Sequence, residues 1–183
     1  MTDILGQKAS DYYSKETSKL YELSGAFRRI QESMTADALS LSDFETHSFI
    51  LDLGCGTGFS LNVLKNNGFN TIGIDISFEM LEYASKKKFK VILADMAFLP
   101  FKDEAFDNLI SISAIQWAKP SEYEKILQEI KRVIKKEAVI QFYPKEKNEF
   151  DYFLKLSKKI FSINQVFILG SGVKEKKYIK LKK

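Results

Sequence analysis

FILDLGCGTGFS, Phe49 to Ser60, is the stretch from which the rest of this chain is read. It begins as an apolar run of strand-forming residues and carries one carboxylate inside that run, Asp52. It then breaks into glycines at alternate positions, Gly54, Gly56 and Gly58. Glycine lets a backbone turn tightly and lets a ligand approach the main chain where a Cβ would stand in the way. A strand that runs through such a turn into a helix is an arrangement that holds nucleotides. A dinucleotide fingerprint needs a glycine at position 59, which is Phe59 here. The GxGxG spacing, with Asp52 two residues upstream, suits a ligand whose contact is a charged amino acid rather than a pyrophosphate.

Outward from this turn, short apolar runs alternate with segments of helical period. Residues 48–54, 70–76, 90–96, 107–113, 138–144 and 165–170 read as strands. The first five are apolar at nearly consecutive positions, as parallel strands covered on both faces are. Residues 121–134 place Tyr123, Ile126, Leu127, Ile130, Val133 and Ile134 on one helical face, with Ser121 and Glu124 as a capping box. Residues 148–161 repeat the pattern with Phe150, Phe153, Leu154, Ile160 and Phe161, and Asn148 is the expected N-cap. Ser77 caps a third helix, and Gly68 ends the helix that follows the glycine turn. The alternation predicts an α/β fold: a Rossmann-like, doubly wound, mainly parallel sheet with right-handed crossovers. Ligands of such sheets sit at the carboxyl ends of the strands.

Composition narrows the class. The chain has 183 residues, 45% hydrophobic and 28% charged, a length that fits one domain with a sizeable core. It has no internal repeat and only three prolines, so a single domain over 1–183 is expected. No apolar run approaches the roughly 20 residues that cross a bilayer. The N-terminus has no basic region followed by an apolar core, so no secretory signal is read there. One cysteine, Cys55, permits neither an internal disulfide nor a CxxC metal site, and no metal site is expected. Residues 1–123 carry 12 Lys/Arg against 17 Asp/Glu, and residues 124–183 carry 16 against 7. That basic third suits a polyanionic partner or is simply a set of solvated lysine faces.

Two further acids stand where strands end. Asp75, beside Ile76, is placed to accept hydrogen bonds from a ribose diol, and equally to sit at the start of the helix capped by Ser77. Asp95, beside Met96, can accept the exocyclic amine of adenine while Ile76 and Met96 sandwich the ring. Three acids at three successive strand ends are far more specific than GxGxG alone.

With these motifs the chain resembles the class I S-adenosylmethionine-dependent methyltransferases, from about Tyr12 onward. The resemblance implies a seven-stranded sheet with S-adenosylmethionine as cofactor. It implies that Asp52, Gly54, Cys55 and Gly56 lie against the methionyl part, Asp75 and Ile76 at the ribose, Asp95 and Met96 at adenine, and Ser111 nearby. Residues 1–45 would be lead-in helices over the cofactor site, with Tyr12, Tyr13 and Tyr21 above it, and residues 46–183 the core.

The methyl acceptor is read from SISAIQWAKP, Ser111 to Pro120, which borders the reactive methyl in this fold. Gln116 can donate and accept at a purine edge, and Trp117 either stacks on a flat base or caps the core. Tyr143 and Pro144 offer a second wall. His47, the only histidine, precedes the first strand, so no general base is apparent. An acceptor with a free lone pair, such as guanine N7, needs none, whereas a hydroxyl acceptor normally does.

DLGCGTGFS, GIDIS, ADM, SISAIQW and QFYP together look most like the small-subunit ribosomal RNA guanine-N7 methyltransferases. That resemblance implies a ribosomal RNA or small-subunit precursor as substrate. It also implies a small zinc-binding activator protein docked at the edge made by the third strand, where Phe89 and Val91 would be exposed. RNA contact would then rest on Lys131, Arg132, Lys135, Lys136, Lys145, Lys147 and the terminal lysines. No long basic tail follows KYIKLKK, so a cytoplasmic rather than nuclear protein is expected. SAIQW also resembles malonyl-carrier methyltransferases, which makes a small-molecule enzyme the rival reading; a catalytically silent scaffold is the third.

Overall fold

The structure is a computed structural model and describes residues 9–144, 146–171 and 175–183, without the side chains of Lys147 and Ile163. Lys145, expected to contact RNA, lies outside the described residues, as does the side chain of Lys147. Three helices lead in: α1 (Ala9–Tyr12), α2 (Lys15–Leu23) and α3 (Gly25–Leu41). The core follows as β1 (Phe49–Leu53), α4 (Phe59–Asn66), β2 (Asn70–Asp75), α5 (Phe78–Lys86), β3 (Val91–Leu93) and β4 (Phe106–Ile112). It closes with α6 (Tyr123–Val133), β5 (Ile134–Gln141), α7 (Lys147–Ile160), β6 (Ile163–Leu169) and β7 (Lys176–Lys182).

The seven strands form one sheet in the order β3-β2-β1-β4-β5-β7-β6. All pairings from β3 to β5 are parallel; β7 is antiparallel to both β5 and β6. The order reverses between β1 and β4, and that switch point opens a crevice at the strands' carboxyl ends. The expected Rossmann-like sheet is present.

Apolar faces lock the layers together. Tyr123, Ile126, Leu127, Ile130 and Val133 of α6 are all buried, and they pack with Phe142, Phe150, Phe153 and Leu156 in the main core. Truncating one such residue to alanine removes about 2–5 kcal/mol of stability. Met34 and Ala38 of α3 pack with Ile50, Leu64, Ile110, Val139 and Tyr178, so the longest lead-in helix belongs to the second face of the sheet.

Several expectations are corrected in detail. Ile134 is the first residue of β5 rather than the end of a helix, because it caps α6 in an extended conformation and pairs with Phe106. β5 therefore starts in the polar run Lys135–Lys136–Glu137 and ends at Gln141, short of Tyr143. In place of a Ser121–Glu124 capping box, the Lys119 amide donates to the Glu122 carboxylate at 2.8 Å, because a 3-10 turn over Pro120–Glu122 comes first. Glu146, with Glu149, caps α7 in place of Asn148. β3 is three residues long and only partly covered, with Ile92 37% and Leu93 54% exposed. It does lie at the sheet edge. Phe89 and Val91, however, turn inward against Cys55, Leu61 and Leu81, so the apolar surface at that edge is made by Ile92, Leu93 and Phe98 instead.

Candidate active site

The turn after β1 is held by its glycines. Gly54, Gly56 and Gly58 have φ of +81°, +52° and +88°, a region L side chains avoid. A Cβ on Gly54 would also lie 2.2 Å from that of Ala114, so the β4 loop can close on this turn only across glycine. The Gly54 and Cys55 amides both donate to the Ile74 carbonyl at 2.9 Å, which ties the turn to β2.

Asp75 ends β2 and organises the floor. Its Oδ2 accepts the Gly56 amide at 2.8 Å and its Oδ1 the Ser77 amide at 2.9 Å. Burial pushes its carboxyl above the usual range, and the backbone amides of Ser77, Gly56 and Ile76 pull the other way. Each oxygen keeps a further lone pair for a ligand hydroxyl. Ser77 caps α5 by accepting the Met80 amide at 3.2 Å, and its hydroxyl lies 3.3 Å from the Tyr13 carbonyl, which pins the roof to the floor.

The result is a cavity of about 270 Å³ at the carboxyl ends of β1, β2, β3 and β4. Eleven residues expected there line it: Tyr13, Tyr21, Gly54, Cys55, Gly56, Asp75, Ile76, Asp95, Met96, Gln116 and Trp117. Cys55 contributes main chain, since its thiol is buried where a Cβ on Gly73 would lie 2.5 Å from Sγ. Asp95 is exposed and accepts the Ala97 amide at 2.8 Å. Gln116 presents a buried side-chain oxygen that has no protein partner.

Four expected residues do not line the cavity. Asp52 is fully buried beneath the turn, where the Ser60 hydroxyl donates to one oxygen and the other has no partner. Burial raises its carboxyl to about 7, against the Ser60 hydrogen bond, which lowers it. Ser111 is also fully buried, its hydroxyl donating to the Leu53 carbonyl at 2.9 Å. Tyr12 stacks behind Trp117, with ring centroids 5.3 Å apart, and Tyr13 lies 5.4 Å from the same indole. Tyr143 is 40% exposed, with its hydroxyl 3.7 Å from the Met34 sulfur.

The roof holds the expected Tyr21 together with two residues that sequence reasoning passed over, Phe27 and Phe59. Phe27, Tyr21 and Phe59 stack in series at 5.2 and 5.5 Å, and all three line the cavity. Phe59 follows the glycine motif directly and had mattered only as the residue that spoils a dinucleotide pattern. Ser113 and Glu122 also line the cavity. Asp75, Asp95 and Glu122 are its charged residues, and among the described residues no lysine, arginine or histidine joins them. The phenols of Tyr13 and Tyr21 are pushed up by burial first, then by Asp75 for Tyr13 and by Tyr13 and Asp75 for Tyr21, so both stay protonated.

The basic C-terminal third is placed differently from expectation. Arg132 pairs with Glu129 at 2.7 Å and Asp103 at 3.0 Å, and Lys131 donates to the Ile160 carbonyl. Lys135 pairs with Asp107, Lys136 with Glu45, Lys182 with Asp43 and Lys183 with Glu104. These pairs gather by the amino ends of β4 and β5, away from the cavity. Lys15, Lys19, Arg29 and Lys119 form no ion pair among the described residues; α2, α3 and the Pro120 turn carry them on the segments that line the cavity.

Comparison with known proteins agrees with this geometry. The 18S rRNA (guanine-N(7))-methyltransferase bud23 of Schizosaccharomyces pombe is 39% identical over 110 residues, covering 58% of this chain and 41% of its own. The 18S rRNA (guanine(1575)-N(7))-methyltransferase of Saccharomyces cerevisiae is 35% identical over 162 residues, covering 80% of this chain and 59% of its own. The chain thus spans about half the length of the curated relatives it matches. Among solved structures, a complex between the Haloferax volcanii Trm112 methyltransferase activator and a putative methyltransferase aligns with a TM-score of 0.58 and 25% identity, covering 69% of this chain and 56% of that one. The family model described as a methyltransferase domain matches residues 51–142, from the middle of β1 to just past β5. Those 92 residues hold every strand that borders the cavity and half of the whole chain, so the chain belongs to the methyltransferase domain family.

Proposed function

We propose that the chain binds S-adenosylmethionine in this cavity and transfers its methyl group to N7 of a guanine in small-subunit ribosomal RNA. The observation that carries the cofactor half is the charge of the cavity: three carboxylates line it and no cationic side chain does, among the described residues. A pyrophosphate there would meet uncompensated repulsion, whereas a sulfonium meets attraction in a partly desolvated site. The residues present fit the nucleoside. Asp75 would take the ribose hydroxyls, Ile76 and Met96 the faces of the ring, and Asp95 the exocyclic amine.

Bound there, S-adenosylmethionine supplies an electrophilic methyl group and leaves as an uncharged thioether. The chain's own residues do the rest by position. Guanine N7 offers a lone pair without losing a proton, which matches a cavity whose phenols are held protonated and which, among the described residues, no histidine lines. Trp117, backed by Tyr12 and Tyr13, provides a flat wall beside Gln116 on the acceptor side. In-line alignment of nucleophile and methyl supplies the rate enhancement. Lys15, Lys19, Arg29 and Lys119 would meet the RNA backbone.

The names of the 18S relatives support the substrate half of the reading, and the Trm112 complex supports a partner. A small zinc-binding activator would add a strand to β3, whose outer edge is unpaired and flanked by exposed Ile92, Leu93 and Phe98. The test is mass spectrometry of small-subunit ribosomal RNA from cells with and without this gene. Loss of one 7-methylguanosine is the expected result; an unchanged modification profile returns the function to a small-molecule acceptor.

A further inference from the structure

The nucleoside side of the cavity is accounted for by the ends of β1, β2 and β3. Across the switch point, at the ends of β4 and β5, stands a polar pair that the reading above does not use. Ser113 lines the cavity one residue past β4, and Gln141 ends β5. The two are joined twice: the Ser113 amide donates to the Gln141 carbonyl at 3.2 Å, and the Ser113 hydroxyl donates to Gln141 Oε1 at 2.6 Å.

Three features mark this pair as more than packing. Ser113 has φ of +52°, a left-handed conformation that costs a non-glycine residue free energy and that clusters at functional sites. Glycine would relieve that cost, yet the position carries a hydroxyl. Gln141 is fully buried, and its Nε2 has no hydrogen-bond partner. A buried amide left half-satisfied is expensive, and apolar residues occupy most of the neighbouring β5 positions.

A carboxamide can turn over. In the orientation described, Ser113 gives its proton to Gln141 and Nε2 is the orphan. Turned by a half rotation, Nε2 donates to the Ser113 oxygen, Oε1 becomes the orphan, and the Ser113 proton is released into the cavity. Each orientation leaves one amide atom unpaired, and the turned one also leaves the Ser113 proton without a partner until an acceptor arrives. A hydrogen-bond acceptor arriving beside Ser113 selects the second.

We propose that Ser113 and Gln141 form an acceptor-positioning relay, in which Gln141 Nε2 holds the Ser113 oxygen and the Ser113 hydroxyl donates to the carbonyl oxygen of the methylated base, O6 of guanine. This rests on the guanine-N7 reading above. O6 and N7 lie on one edge of the purine, so a donor fixed at O6 sets the direction in which the N7 lone pair points. Ser113 touches the acceptor; Gln141 acts through it.

The experiment uses the full chain with S-adenosylmethionine and an RNA carrying either guanine or 2-aminopurine, which keeps N7 and lacks O6. Ser113→Gly is the first variant, because glycine accepts the positive φ, and that gain offsets part of the cost of leaving the buried Gln141 carboxamide unpaired. On guanine it is expected to lower kcat about ten- to hundred-fold, with KM for S-adenosylmethionine nearly unchanged. Gln141→Met keeps the volume and removes the carboxamide, and is expected to lose most of the same factor. On 2-aminopurine the wild-type and Ser113→Gly rates should coincide, closing a double-mutant cycle between the hydroxyl and O6. Equal rates on guanine, or an equal loss on both bases, overturn the relay while guanine methylation stands. A wild-type chain that leaves guanine unmethylated overturns the functional reading and the relay with it.

Discussion

The ammonium of Lys87 lies 2.7 Å from the carboxylate of Glu22, and so joins the C-terminal end of α5 to the roof helix α2. The same ammonium donates to the Thr57 carbonyl of the glycine turn at 3.0 Å and lies 4.8 Å from the centre of the Phe59 ring. One cation thus holds the roof, the turn and the aromatic stack together, in a place where both side chains are at least two-thirds covered.

Lys87→Met keeps the aliphatic stem and removes this link. We expect release of S-adenosylmethionine to speed up by roughly three- to ten-fold, the effect of losing about 1 kcal/mol from a partly exposed pair. Stopped-flow tryptophan fluorescence should report it, since Trp117 lies under Tyr12 and Tyr13 of the roof. An unchanged release rate would remove the latch role.

Asp75→Ala deletes the acceptor of two backbone amides, and with it the acceptor proposed for the ribose hydroxyls. Calorimetry should show cofactor affinity falling by roughly a hundred-fold or more, the scale of losing two charge-assisted hydrogen bonds. Asp75→Asn, which keeps one acceptor oxygen, should fall between. Affinity equal to that of the unaltered chain would take the ribose role away from Asp75.

Asp52 gives the chain a pH dependence of the opposite sign to that of most carboxylates. Burial raises its folded-state value to about 7, above the 3.8 of an ordinary aspartate. Below pH 4 both states carry the proton and no penalty arises. Between about pH 4 and 7 the unfolded chain releases its proton while the folded chain keeps it, so Asp52 removes stability as pH rises, and the loss levels off above 7. The full penalty is on the order of a few kcal/mol. Asp52→Asn, which can still accept from Ser60, should raise the denaturation midpoint at pH 8 and leave it nearly unchanged at pH 4. A gain of the same size at both pH values would contradict this.

At the β3 edge, Leu93 is 54% and Phe98 66% exposed. Leu93→Lys should make the isolated chain more monodisperse in size-exclusion chromatography, because a charge on an open edge opposes strand-to-strand association. The same change should abolish any stimulation by an added zinc-binding activator. Stimulation that survives would move the partner to another face.

Much of this protein is legible along the chain. The alternation of apolar runs and helical periods predicts the parallel sheet, because strands buried on both faces cannot afford polar positions. Asp75 and Asp95 at strand ends and the GxGxG turn predict the cavity, because residues at a strand end share one place whatever the rest of the fold does, whereas Asp52 lies beneath the turn. Less legible was which neighbour of a pair faces inward. Ser111 and Ser113 stand two apart, where strand geometry would treat both alike; β4 ends at Ile112, and after the left-handed turn Ser113 lines the cavity while Ser111 stays in the core.

The lysines show the other limit. Their number is plain in the sequence, but Lys136 finds Glu45 and Lys182 finds Asp43 across more than ninety residues, and those pairings engage lysines that the resemblance had assigned to RNA contact. Local patterning by itself determined the element order, the strand-end acids and the family, since each depends on residues a few positions apart. Only the tertiary structure decided the ion pairs, the roof latch and the Ser113–Gln141 link, because each joins side chains that the sequence sets far apart and only the packed sheet brings within hydrogen-bonding reach.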